Sequence, residues 1–131
     1  MAEIPVGAKH EEVILVTGDI AIDFLGMEGT QVLSTPSMIL WMEKTSRNLL
    51  MKYVEEGYDS VGTEVCIKHL AAAPLGSSVT FRANVLAVNE RRVKFHVEAA
   101  DEKEKIGEGT HERTIINVAR FASKMAAKFA K

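Results

Sequence analysis

Residues 35–57, TPSMILWMEKTSRNLLMKYVEEG, constrain the fold of this chain more than any other stretch. They carry their own start signals: Thr35 is placed to cap the first free backbone N–H groups, and Pro36 suits the first helical position, where its missing donor is no loss. Gly57, after Glu55 and Glu56, is the natural stop. Between them Met38, Ile39, Leu40, Trp41 and Met42 run without a polar break, so the helix is expected to be buried all round. A carboxylate, Glu43, follows at once, flanked on its own face by Ile39, Leu40 and Leu50. A charge in such a place needs a partner or a task. The plain partner is Arg47, one turn on, in an exposed ion pair of small worth.

The rest of the chain reads as sheet. Residues 12–17 (EVILVT) are a first strand, rich in β-branched side chains. Residues 18–34 hold Gly18, Gly26 and Gly29 with apolar Ile20, Ile22, Phe24 and Leu25 but no clear period. They read as an irregular lid beside the helix, or as a packed connection with nothing beneath it. In residues 60–70, Val61, Thr63, Val65, Ile67 and His69 alternate onto the face expected to meet the helix, with Gly62 on the other. His69 then ends a buried row, where a histidine is ordinarily a hydrogen-bonded core residue. Pro74 and Gly76 break the chain before a third strand, 78–88, with Val79, Phe81, Ala83, Val85 and Ala87 inward. Asn89, Glu90 and Arg91 turn it into 92–100, with Val93, Phe95, Val97 and Ala99 inward. Residues 106–118 form the last strand, whose Gly107 and Gly109 predict a bulge or a close backbone approach. Residues 120–131 are a short amphipathic helix with Phe121, Met125 and Phe129 at helical spacing, expected to pack on the body.

The fold class predicted is therefore α+β, one antiparallel five-stranded sheet wrapped around one long helix in a single domain over residues 1–131. A sheet of this kind has edges to protect, and pairing into a homodimer with a continuous sheet protects them. Lys and Arg are scattered and offset to a net charge of −2, which argues against a nucleic-acid partner. No stretch has the length of a membrane span, residues 1–12 are neither basic nor apolar enough for a signal peptide, and the single Cys66 has no internal disulfide partner. The expected location is the cytoplasm, with no membrane partner.

Three segments, GTEVCIKHLAAAPLG (62–76), VKFHVEAADE (93–102) and IGEGTHER (106–113), carry a resemblance to the fluoroacetyl-CoA thioesterase family of hotdog-fold proteins, which extends without gaps from about residue 35 to 121. The resemblance implies a catalytic set of Thr35 at the helix start, Glu43 eight residues on, and His69 at the end of the next strand. It further implies that the Gly62 backbone N–H holds the thioester oxygen, that Arg113 lies near the substrate, and that the site forms at a dimer interface. The expected activity is hydrolysis of a short or modified acyl-CoA to free acid and CoA by a homodimer or dimer of dimers, with no cofactor and no metal. Glu43 would attack the carbonyl or deprotonate a water, His69 would protonate the departing thiolate, and Thr35 would fix the carboxylate or the substrate. Donors at Gly62 and the helix N-terminus would stabilise the oxyanion. The alternative is a non-catalytic hotdog module that binds acyl-CoA or a related small ligand. A hydratase is disfavoured, because the helix carries no Asp and His pair in the order that chemistry needs. Arg91 and Arg92 lie together on a hairpin turn, ordinarily a solvated place, from which they could reach the CoA phosphates. In one departure from the family, an ungapped alignment carried upstream of Thr35 sets Gly26 and Gly29 where its gating phenylalanines fall, so fluoroacetyl selectivity is not expected.

Overall fold

The computed structural model describes residues 3–23 and 26–130; Phe24 and Leu25 of the expected lid lie outside the described residues. Five strands, β1 (Lys9–Leu15), β2 (Tyr58–His69), β3 (Ser78–Asn89), β4 (Arg92–Ala100) and β5 (Lys105–Asn117), accompany two helices, α1 (Thr35–Met51) and α2 (Val118–Phe129). The strands form one antiparallel sheet in the order β1-β3-β4-β5-β2, which leaves β1 and β2 as its edges.

Ser34, not Thr35, caps α1: its side chain accepts from the Ser37 N–H at 3.2 Å, so Thr35 and Pro36 become the first two helical residues. This shift of one position frees the Thr35 hydroxyl. The helix also stops earlier than expected, at Met51, and Gly57 serves a separate left-handed turn at φ 90° before β2. Burial follows a stripe rather than the whole circumference. Met38, Met42, Leu49 and Leu50 are fully enclosed, together with Thr45 and Ser46, whose hydroxyls bond back to the Trp41 and Met42 carbonyls. Leu40, by contrast, is 46% exposed. A single sheet covers one side of a helix, and five apolar residues in a row span more than one side.

The middle of the sheet follows its alternation closely. Val93, Phe95, Val97 and Ala99 of β4 are buried, as are Val79, Phe81, Ala83 and Val85 of β3. The register slips between Val85 and Ala87, and Ala87 accordingly faces out rather than in. A more consequential slip lies in β2 between Gly62 and Glu64, where Thr63 is an extra residue with no opposite number in the register of β5. An extra residue inverts the alternation beyond it. Ser60 and Gly62 therefore face inward before the bulge and Ile67 and His69 after it, while Val61 and Thr63 do not belong to the inner row as their spacing suggested.

Of the two possibilities raised by the β5 glycines, close approach is the one realised. A methyl group at Gly107 would lie 2.5 Å from the Met38 sulfur, and one at Gly109 would overlap the Cys66 carbonyl. The C-terminal helix departs most from expectation. It buries none of its residues, and Phe129 is 87% exposed, because α2 leaves the sheet end instead of folding back on it.

Gly109→Ala is expected to lower stability by about 2–3 kcal/mol, since backbone on β2 must move to admit the methyl group. Gly18→Ala, at a position with open space around it, is expected to change stability by no more than about 0.5 kcal/mol. Urea denaturation of both variants checks the contrast, and equal effects would remove the packing argument.

Candidate active site

Two clusters of polar side chains face the space between α1 and the sheet. The first is at the start of α1. Thr35, released from capping, places its hydroxyl 2.7 Å from Nδ1 of His69, the last residue of β2. The other ring nitrogen, Nε2, is buried and makes no hydrogen bond. Burial lowers the pKa of this ring, an effect that the Ala71 backbone partly offsets. The pair opens on a cleft of about 330 Å³ walled by Ile22, Val32, Leu33, Leu70 and Ala71, so residues from the expected lid do border it.

The second cluster lies two turns further along α1 and is built around Arg113 of β5. Its guanidinium donates from Nε to the Ser60 hydroxyl (2.7 Å) and from Nη2 to the Ser60 carbonyl (2.9 Å). Nη1 stands 3.2 Å from Nε2 of His111 and 3.5 Å from a carboxylate oxygen of Glu43. His111 has Nδ1 2.7 Å from the Glu64 carbonyl, which can only accept. Nδ1 therefore carries the proton, and Nε2 accepts from Arg113. The ring stacks on Phe95 and is 1% exposed. Desolvation lowers its pKa, and the adjacent Arg113 charge pushes the same way. Desolvation also lowers the Arg113 pKa, against the opposing pull of Glu43 and Asp59. Gly62 completes the cluster by having no side chain: a methyl there would lie 2.6 Å from the Glu43 carboxylate and 3.3 Å from His111 Cε1.

The Glu43–Arg47 pair, the plainer of the two readings of Glu43, does not form. Arg47 instead grips Asp59 through two hydrogen bonds of 3.0 and 2.7 Å, which raises its own pKa and lowers that of Asp59. Glu43 is left to Arg113 with its side chain 35% exposed, so its surroundings are a paired charge at the rim of a pocket rather than a wholly apolar one. One chain thus brings together Thr35 with His69, and Glu43 with Gly62 and Arg113. It does not bring the two groups together, because eight helical residues separate Thr35 from Glu43 by about 12 Å along the axis. His111 and Ser60 had no role in the sequence reading. The strict alternation of Gly107, Gly109, His111 and Arg113 on one face of β5 is the signal that places His111 beside Arg113.

Residues 16–119 match the family model described as fluoroacetyl-CoA-specific thioesterase. The chain belongs to the fluoroacetyl-CoA-specific thioesterase family. It is 38% identical over 101 residues to the fluoroacetyl-CoA thioesterase of Streptantibioticus cattleyicolor, covering 77% of this chain and 73% of that protein. A solved structure of the fluoroacetyl-CoA thioesterase FlK superposes with a TM-score of 0.87 at 32% identity, over 96% of this chain and 98% of the other. A hot-dog-like protein from Thermanaerovibrio acidaminovorans superposes with a TM-score of 0.87 at 26% identity, over 97% and 94% of the two chains. This member of the family therefore has the hotdog fold and is a thioester hydrolase.

The depressed pKa values of the half-buried His69 and the buried His111 make stability respond to acid. Both have pKa values below the ordinary 6.5, so the folded state favours their neutral forms. Their contribution to stability is complete above the unfolded value and is lost as pH falls through the depressed folded values. Urea midpoints measured from pH 7.5 down to 5 are expected to decline, and His111→Gln should flatten that decline. An unaltered slope in the variant would show that His111 is not the group involved.

Proposed function

We propose that the chain hydrolyses short or modified acyl-CoA thioesters to the free acid and CoA as a homodimer, in sites that each take Glu43 and Gly62 from one protomer and Thr35 and His69 from its partner. The observation that carries this reading is the position of the two clusters at opposite ends of one edge strand, on the same face. Pairing β2 antiparallel with its copy about a two-fold axis at Cys66, three places from His69 and, with the extra Thr63 discounted, three from Gly62, sets His69 of one strand opposite Gly62 of the other. The same pairing satisfies the open edge of β2 and covers Val65, which is 41% exposed in the single chain. Solved structures of FlK include complexes with acetyl-CoA and with fluoroacetate and CoA, which supports a CoA thioester as the substrate class.

In such a site the thioester carbonyl lies between the Glu43 carboxylate and the Gly62 backbone. Attack by Glu43 gives a mixed anhydride, which water then opens; alternatively Glu43 takes a proton from the water that attacks. On either route the carbon–sulfur bond breaks and the thiolate of CoA leaves with a proton from His69, whose ring Thr35 orients. Burial lowers the His69 pKa and so favours the neutral ring, which means that the proton reaching the thiolate through His69 is one released by the attacking water. The 330 Å³ cleft beside Thr35 and His69 has aliphatic walls, which favours a short acyl group. Gly26 and Gly29, both at left-handed φ, hold no aromatic gate, so fluoroacetyl selectivity is not part of the proposal.

Glu43→Gln and His69→Ala are each expected to lower kcat for thiol release about a hundredfold or more. Mixing the two inactive variants should restore about a quarter of the wild-type activity, since half of the mixed dimers are heterodimers with one intact site each. No recovery on mixing would place the whole set within one chain. Hydrolysis that survives both substitutions would remove these residues from the mechanism, and release from no acyl-CoA at all would favour the binding module.

A further inference from the structure

Three of the six arginines face carboxylates: Arg47 pairs with Asp59, Arg82 with Glu11 and Arg113 with Glu43. The other three, Arg91, Arg92 and Arg120, have no side-chain partner among the described residues, and they come together at one end of the sheet. Arg91 and Arg92 line a cleft of about 840 Å³ with Tyr58, Asn89, Glu90 and Thr114. Arg91 also lines an adjoining hollow with Arg120, Lys124, Asn117, Ile116 and Phe121.

The topology explains the gathering. A two-residue turn, Glu90 and Arg91, closes the β3–β4 hairpin at the Asn89–Arg92 pair. The Arg91 carbonyl accepts from the Ile115 N–H at 2.8 Å, which ties the turn to β5 just before that strand hands over to α2. The helix then adds Arg120, Lys124 and Lys128 and contains no acidic residue. The four cations that line the two clefts, Arg91, Arg92, Arg120 and Lys124, beside one lining carboxylate, Glu90, repel one another unless an anion comes between them. Arginine forks are matched to phosphate oxygens, which accept two parallel N–H bonds. A cleft of this size is also within the range of a nucleotide, and Ile116 and Phe121 supply apolar surface of the kind a purine needs.

We propose that this end of the sheet binds the phosphorylated adenosine head of CoA. The proposal rests on the acyl-CoA reading above and names a subsite for it. Its position is suitable: Asn117 is four residues along β5 from Arg113, about 13 Å, a separation that an extended pantetheine arm spans between sulfur and diphosphate. The thioester would then react at Glu43 while its charged head is held at the hairpin and α2.

The test compares wild type with the triple variant Arg91→Ala, Arg92→Ala, Arg120→Ala, whose substitutions lie on the surface and whose folding is checked by thermal melting. Each enzyme is given a short acyl-CoA and the same acyl group on N-acetylcysteamine, which lacks the head. The preference for the CoA ester over the truncated ester is expected to fall about tenfold or more in the variant, through KM. Inhibition by 3′,5′-ADP should weaken in parallel. An unchanged preference, or equal inhibition of both proteins, would overturn the subsite. Should neither protein cleave any thioester, the function reading fails on its own, and calorimetric titration with 3′,5′-ADP still decides the subsite. Binding lost in the triple variant upholds it, and absent or equal binding removes it. Inorganic phosphate binding as tightly as 3′,5′-ADP would mark a general anion site and overturn the assignment to CoA.

Discussion

One inserted residue, Thr63, gives β2 two ends that both face inward. Gly62 and His69 are seven positions apart, and in a regular strand an odd spacing puts two residues on opposite faces. On β5, their partners Arg113 and Gly107 are six apart and face the same way. Only an extra residue on one strand reconciles the two counts, and Thr63 supplies it. Without the bulge, either the close approach of Gly62 to Glu43 or the bond from His69 to Thr35 would be lost to the outer face. A bulge also suits an edge strand, because only one neighbour has to accommodate it.

The two ion pairs on α1 show how the same chemistry serves two purposes. Arg47 and Asp59 meet through two short hydrogen bonds, a geometry that consumes the carboxylate and ties the helix to the start of β2. Glu43 and Arg113 are 3.5 Å apart, with the guanidinium already engaged by Ser60 and His111. A buried guanidinium has to be satisfied. Neutral acceptors do most of that here, so Glu43 is held by charge without being locked by hydrogen bonds, and its oxygens remain available to a substrate. His111 matters to this balance because it accepts at Nε2. Protonated there, it would present an N–H to the guanidinium and lose the bond.

Much of the architecture is legible in the residues. The alternation of β4 and of the first half of β3 gives their buried faces directly, and the apolar run at Met38–Met42 marks the one helix that the sheet covers. The segments 62–76 and 106–113 carry the family. What escaped depends on local competition that a pattern does not record. Ser34 and Thr35 are both good caps, and the structure uses the first, which decides whether the Thr35 hydroxyl serves the backbone or His69. The bulges in β2 and β3 shift the phase of otherwise clear alternations. The amphipathic pattern of α2 is real, but a pattern states that a face is apolar and not what covers it.

The spacing on α1 carries the last consequence. A helix is stiff over two turns, so no rearrangement of side chains brings Thr35 and Glu43 of one chain onto a single thioester group. Two routes could unite them: a second copy related by symmetry, or a substrate long enough to touch both. The reacting part of an acyl thioester is only a few atoms long, which removes the second route. The open edge of β2 offers the first, because antiparallel pairing of identical strands exchanges their ends. In the proposed dimer each end of the shared strand pair would join the Glu43 cluster of one copy to the Thr35 and His69 pair of the other. Assembly and catalysis would in that case be one constraint. The backbone groups that lack a partner in the single chain are on the same strand that carries Gly62 and His69.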